Sequence, residues 1–267
     1  MPEIITSVGS VFYRKMGSGP AIVLLHGFPE SGSLWRYIWD VLSQSFTIII
    51  PDLPGSGSSP LPSSGSISLA AMAAQVKDIL DAETITKAVI CGHSMGGYVA
   101  FAFAAQFADR VAGLSLVHST PVADDDEKKT NRKKAIELVQ KGGREAFLKQ
   151  MVPNLFADGF KQNEPALVNE QIANALNMSA ESITNFYAAM MERPDSTAIL
   201  DAPSFPLLWI LGSDDNLIPF TKVLQFCFRS DINFVSYYKG CGHMSMVEAP
   251  DKLAADLLRF AAYCYEG

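Results

Sequence analysis

The 267-residue sequence predicts an α/β protein: a mainly parallel central sheet flanked by helices, with a helical cap inserted into it. Three observations carry that prediction. Short apolar runs alternate with helix-period segments from Ala21 to Val117. The strand signal vanishes between about Pro121 and Arg193, then resumes at Leu207. The chain is 48% apolar and only 18% charged, and low charge suits parallel strands covered on both faces.

Residues 4–8 and 11–15 read as a short strand pair. Residues 21–25, Ala-Ile-Val-Leu-Leu, are apolar on both faces, as a central buried strand requires. After His26-Gly27-Phe28-Pro29 a helix is expected over 33–42, then a strand over 46–50. The serine-rich stretch 56–66 is a loop. Helix 69–80, strand 88–91, helix 95–106 and strand 111–117 follow, a rhythm that requires right-handed crossovers. Beyond it, apolar residues recur at helical spacing: Ile136 and Val139, then Leu148, Met151 and Val152, then Val168, Ile172 and Leu176. Ile183, Phe186, Tyr187 and Met190 continue the pattern. The acids at 124–127 precede Lys128, Lys129, Arg132, Lys133 and Lys134, an order that suits the helix dipole and reads as a solvated face. Strand 207–211, helix 220–228, strand 232–238 and a closing helix over 250–263 complete the chain. Residues 1–120 and 194–267 are therefore expected to form the core domain, and 121–193 the cap.

A formal net charge of −7 argues against nucleic acid, which needs a basic face. No run of eighteen apolar residues suggests a membrane span, and the N-terminus lacks the apolar stretch of a signal peptide. Cys91, Cys227, Cys241 and Cys264 have no paired spacing, so they read as reduced thiols and the cytoplasm is the expected location.

Gly92-His93-Ser94-Met95-Gly96 follows an apolar strand and opens a helix, where a tight turn can lift a serine above the sheet edge. Serine needs a base, and the chain has four histidines, all near predicted strand ends. His93 is turned away from Ser94 by the sharp bend. His26 lies in a loop that supplies backbone donors, and His118 precedes the cap and could line the pocket. His243, in Gly240-Cys-Gly-His-Met244, follows the last strand and is the expected base. A carboxylate must orient it, and the loop 212–219 offers two. Spacing alone does not choose between Asp214 and Asp215. The amides of Met95 and Phe28 are the expected oxyanion donors.

Together these segments resemble the α/β-hydrolase superfamily, in its serine esterase, lactonase and haloperoxidase-like members. The resemblance spans nearly the whole chain and rests on His26-Gly-Phe-Pro29, Asp52-Leu-Pro-Gly-Ser-Gly-Ser-Ser59, Gly92-His-Ser-Met-Gly-Gly97, 212–219 and Gly242-His243. That family's loop pattern Gly-x-x-Asp-x-x-x-Pro fits Gly212, Asp215 and Pro219, so the resemblance implies Asp215. The cap opening is similar to 3-oxoadipate enol-lactonases and pimeloyl methyl ester esterases. The resemblance implies a carboxylic ester or lactone as substrate, water as second reactant, and neither metal nor organic cofactor. Relatives that dehalogenate or open epoxides carry aspartate where Ser94 stands. Phe147, Met151, Phe186, Tyr187 and Met190 suggest an apolar pocket lining. The competing readings are a slow-turnover ligand sensor and a cofactor-free haloperoxidase or perhydrolase. A zinc hydrolase is disfavoured by the dispersed histidines and the lack of His-Glu-x-x-His.

Overall fold

In a computed structural model, residues 2–63 and 65–266 are described; position 64 of the serine-rich loop lies outside them. Eight strands form one sheet: β1 Glu3–Thr6, β2 Gly9–Met16, β3 Ala21–Leu25, β4 Thr47–Pro51, β5 Ala88–His93, β6 Val111–Val117, β7 Leu207–Gly212 and β8 Asn233–Tyr238. Their spatial order is β1-β2-β4-β3-β5-β6-β7-β8. The first two pairings, β1 with β2 and β2 with β4, are antiparallel; every other pairing is parallel. β3, β4 and β5 are buried at every residue, which is why they read as unbroken apolar runs.

The helices are α1 Trp39–Leu42, α2 Leu69–Ala82, α3 Met95–Gln106, α4 Asp126–Leu138, α5 Arg144–Met151, α6 Asp158–Asn163, α7 Pro165–Ala175, α8 Ala180–Met191, α9 Phe220–Val223, α10 Ser245–Glu248 and α11 Pro250–Glu266. Helices α4 to α8 all lie between β6 and β7. None of the described helices is long and apolar enough to cross a membrane.

Two expected helices are broken. Over 33–42 the chain forms a 3-10 turn, Gly32–Tyr37, and only then α1. Asp52 Oδ1 takes the Gly32 N–H at 2.9 Å and anchors the start of this turn, while Ile38, with φ −130, leaves the helical region at its end. Over 220–228, α9 stops at Val223 and a 3-10 turn takes over.

The topology places the site. β3 neighbours β4 on one side and β5 on the other, so the chain reverses direction across the sheet at the β3–β5 crevice. Leu25 pairs with Gly92 and His93 with Val117, which aligns the carboxyl ends of β3, β5 and β6. The loops after those ends carry Phe28, Ser94 and His118.

Candidate active site

Ser94 joins β5 to α3 with φ 50 and ψ −115, a backbone that side chains rarely adopt. The glycines around it permit the bend. A Cβ on Gly92 would lie 2.3 Å from the Gly96 carbonyl oxygen, and one on Gly96 would lie 2.3 Å from that of Leu25. The turn is held from both sides: Ser94 N–H donates to Val117 at 2.9 Å, and Ser119 Oγ donates to the Ser94 carbonyl at 2.8 Å.

Asp215 and His243 meet. His243 Nδ1 lies 2.8 Å from Asp215 Oδ2, while Asp215 Oδ1 accepts the Leu217 and Ile218 amides at 3.0 and 2.8 Å. Both side chains are almost wholly buried. Burial alone would lower the pKa of His243, but the charge and hydrogen bond of Asp215 raise it above its ordinary value. Burial opposes ionisation of Asp215, yet His243 and His118 hold its carboxyl well below the usual range. Nδ1 is thus committed to Asp215, and Nε2 is buried without a hydrogen-bond partner. Ser94 Oγ and His243 Nε2 are not hydrogen-bonded to each other. The Nδ1 side of the imidazole is engaged and its Nε2 side is open.

Asp214, the other acid of the loop, instead accepts from Ser213 Oγ at 2.6 Å in an exposed position. Phe28 and Ser94 line one cavity of about 360 Å³, and Met95 begins α3 with 1% exposure. Neither the Phe28 nor the Met95 amide donates to a protein acceptor among the described residues. Buried N–H groups are seldom left so.

Three histidines gather here, and two take roles that the sequence did not reveal. His93 Nε2 is 2.9 Å from the His243 carbonyl, so it donates to that oxygen and braces the loop. His118 does not line the cavity; it sits behind Asp215, with Nδ1 3.2 Å from Oδ2 and both ring nitrogens buried. It follows β6 directly, and it is absent from the residues that line the Ser94 cavity. His26 turns away to join the Asp52 loop, Nε2 accepting from Leu53 N–H at 3.0 Å. The donor atoms of His118, Asp215 and His243 lie within 4.8 Å of one another, close enough to meet a metal ion, but Asp215 Oδ2 is already engaged by His243.

Two acids were missed. Glu248 accepts the amides of Gly242 at 3.0 Å, Met244 at 3.0 Å and Ala157 at 3.1 Å. Glu30, just past the His-Gly-Phe-Pro turn, has both carboxyl oxygens buried without a hydrogen-bond partner and lies 3.9 Å from His93 Nδ1. Burial pushes its pKa up to about 7, against the opposing charge of His243. An acid directly after the His-Gly-Phe-Pro turn was the available signal for it. Glu30 also borders a separate cavity of about 630 Å³, which Ser94 does not line.

Phe147, Met151, Tyr187 and Met190 line the Ser94 cavity. Phe186 does not: it is fully buried, with its ring 6.1 Å from that of Phe28. Cys241, near His243, is buried, and burial raises its pKa far above the ordinary thiol value. All four cysteines are free.

A doubly wound sheet with a strained serine at its switch point defines the α/β-hydrolase architecture. Comparison with known proteins agrees. The sequence model of the alpha/beta hydrolase fold matches residues 20–149. A thermophilic esterase of Thermogutta terrifontis, solved with malate bound, superposes at a TM-score of 0.93 with 30% identity, covering 99% of this chain and 98% of that one. The pimeloyl-[acyl-carrier protein] methyl ester esterase of Edwardsiella ictaluri is 28% identical over 95% of this chain and 98% of its own. An uncharacterised protein of Mycobacterium tuberculosis is 42% identical over 113 residues, 42% of this chain. The match spans only 33% of that relative's length. The chain belongs to the α/β-hydrolase family.

Proposed function

We propose that the chain is a serine hydrolase that cleaves a carboxylic ester or lactone through an acyl-Ser94 intermediate. The observation that carries this reading is the buried His243–Asp215 pair, bonded through Nδ1 at 2.8 Å with Nε2 left bare. That arrangement fixes the tautomer a general base needs.

In this mechanism Ser94 Oγ attacks the carbonyl carbon as His243 Nε2 takes the hydroxyl proton. The carbonyl π electrons move to oxygen, and the Phe28 and Met95 amides stabilise that oxyanion. Collapse breaks the bond to the leaving alkoxide, which takes the proton from His243. Water repeats the sequence on the acyl group and frees Ser94. Asp215 keeps the imidazole oriented and stabilises its charged form. The 121–193 segment acts as a cap that walls the substrate cavity. The esterases among the relatives support this class of substrate.

The test is a fluorophosphonate label, located by mass spectrometry, together with a panel of esters, lactones and thioesters. Labelling at Ser94 and loss of turnover by roughly 10⁶ in Ser94→Ala are expected, as for the nucleophile of a serine protease. Full activity in a folded Ser94→Ala protein overturns the proposal.

A further inference from the structure

We infer that Arg132 and Lys128 build an anion subsite in the Ser94 cavity, and that the substrate is an ester or lactone carrying a second, carboxylate group. This rests on the catalytic reading above and names its substrate class.

The basic run on α4 is not one solvated face. Lys128, Asn131 and Arg132, spaced to share one side of the helix, line the same cavity as Ser94. Lys129, Lys133 and Lys134 do not.

Arg132 is fixed by one atom and free at the others. Its Nε donates to Asp124 Oδ2 at 2.6 Å, and its guanidinium carbon lies 5.1 Å from the Tyr187 ring centre. No protein atom among the described residues partners its two Nη atoms, and neither is sealed from solvent. Its role is not simply to neutralise Asp124. That carboxylate, wholly buried, also binds Arg193 at 2.8 Å. Arg193 is itself buried, spends its Nη atoms on the Met190 and Val122 carbonyls, and stacks 3.9 Å from the Tyr98 ring. One acid therefore faces two guanidinium groups, and Arg132 is the surplus cation.

Lys128 has no carboxylate within ion-pair reach among the described residues; Asp125 Oδ1 accepts its backbone amide instead. No acid lines this cavity, whereas Glu30 and Glu181 line the larger one. The remaining wall is largely apolar or aromatic, including Phe147, Met151, Met190 and Ile218.

Such a wall fits a short hydrocarbon chain, with a reactive carbonyl at Ser94 and an anion at the other end. A planar guanidinium held at Nε presents two parallel Nη donors, the fork that a carboxylate accepts. A neutral chain end would displace solvent from those donors without replacing its hydrogen bonds, which disfavours binding.

The carboxylate could belong to the acyl half or the alcohol half, and matched ester pairs distinguish these. The acyl pair is 4-nitrophenyl hydrogen adipate and its neutral terminal amide. The alcohol pair is the butyrate esters of glycolic acid and of glycolamide. In the wild-type protein one charged ester is expected to exceed its amide by about tenfold or more in kcat/KM. Arg132→Gln and Lys128→Gln, checked for folding by thermal melting, should each lower that ratio, Arg132→Gln to near one. Binding is read separately in Ser94→Ala, which should hold monomethyl adipate more tightly than its amide, a preference that Arg132→Gln removes in the double variant. If the charged esters are favoured in neither pair, or the ratios survive both substitutions, the subsite is refuted. If no ester is turned over while the binding preference persists and depends on Arg132, the subsite stands and the catalytic reading falls.

Discussion

Glu248 holds His243 in place without touching its ring: one carboxylate accepts the amides on both sides of the histidine, at 3.0 Å from Gly242 and 3.0 Å from Met244. The same group reaches Ala157, in the segment between β6 and β7, at 3.1 Å. A side chain of α10 thereby ties the His243 loop to the neighbouring helical segment.

Glu248→Ala should strip these amides of their acceptor. Each buried group left unsatisfied costs about 1–3 kcal/mol. The variant is expected to melt several degrees lower, with kcat falling more than KM rises because the imidazole wanders. Calorimetry and steady-state kinetics on one preparation check both. Unchanged kcat in a destabilised protein would confine Glu248 to a structural role.

Gly96→Ala tests the contact between the serine turn and the loop carrying Phe28. A new methyl would stand 2.3 Å from the Leu25 carbonyl oxygen and 2.6 Å from that of His26. Both are backbone atoms that cannot swing aside, so β3 and the serine turn must separate. Overpacking of this kind costs about 1–3 kcal/mol or more, and turnover should fall as the amide of Phe28 retreats. Gly159→Ala, inside α6 where nothing lies within 4 Å of the added carbon, is the control and should not lower the melting temperature, since alanine favours a helix over glycine.

The pH dependence follows from the His243–Asp215 pair. As the proposed base, His243 acts only when neutral, and Asp215 raises its pKa despite the burial that works to lower it. Activity should therefore rise as pH passes through a value above the ordinary 6.5 of histidine. In Asp215→Asn the inflection should move down while kcat drops by roughly 10⁴, the cost of the corresponding change in a serine protease. A profile of kcat/KM against pH for both proteins decides it. An inflection unmoved by Asp215→Asn would mean that another group titrates.

Elements with a strong local period were legible in the sequence. Val111–Val117 and Met95–Gln106 were expected over the same residues that the structure assigns. α10 was missed because four residues carry no period. Ser94, Asp215 and His243 could be named as candidates because each follows a strand inside a short glycine-bearing motif. Glu248, Glu30 and His93 could not be assigned their roles, since these depend on pairing through space. That Arg132 and Lys128 border the Ser94 cavity was not legible, because charge order along a helix does not tell which side faces a cavity.

Glu30 offers a prediction about stability rather than rate. Its carboxyl is buried with no hydrogen-bond partner, and burial raises its pKa from 4.5 to about 7. Between those values the folded protein keeps a proton that the unfolded chain has released. Stability is then fully present below pH 4.5 and declines as pH rises through about 7, as the linkage relation requires. Glu30→Gln keeps the shape and removes the titration. Its melting temperature should exceed that of the wild type by several degrees at pH 8, and the gap should shrink as the pH falls toward 5. Paired melting curves across that range measure it directly. A gap that stays constant with pH would show that Glu30 is ionised alike in both states, with a partner such as ordered water beside His93 supplying what the protein does not.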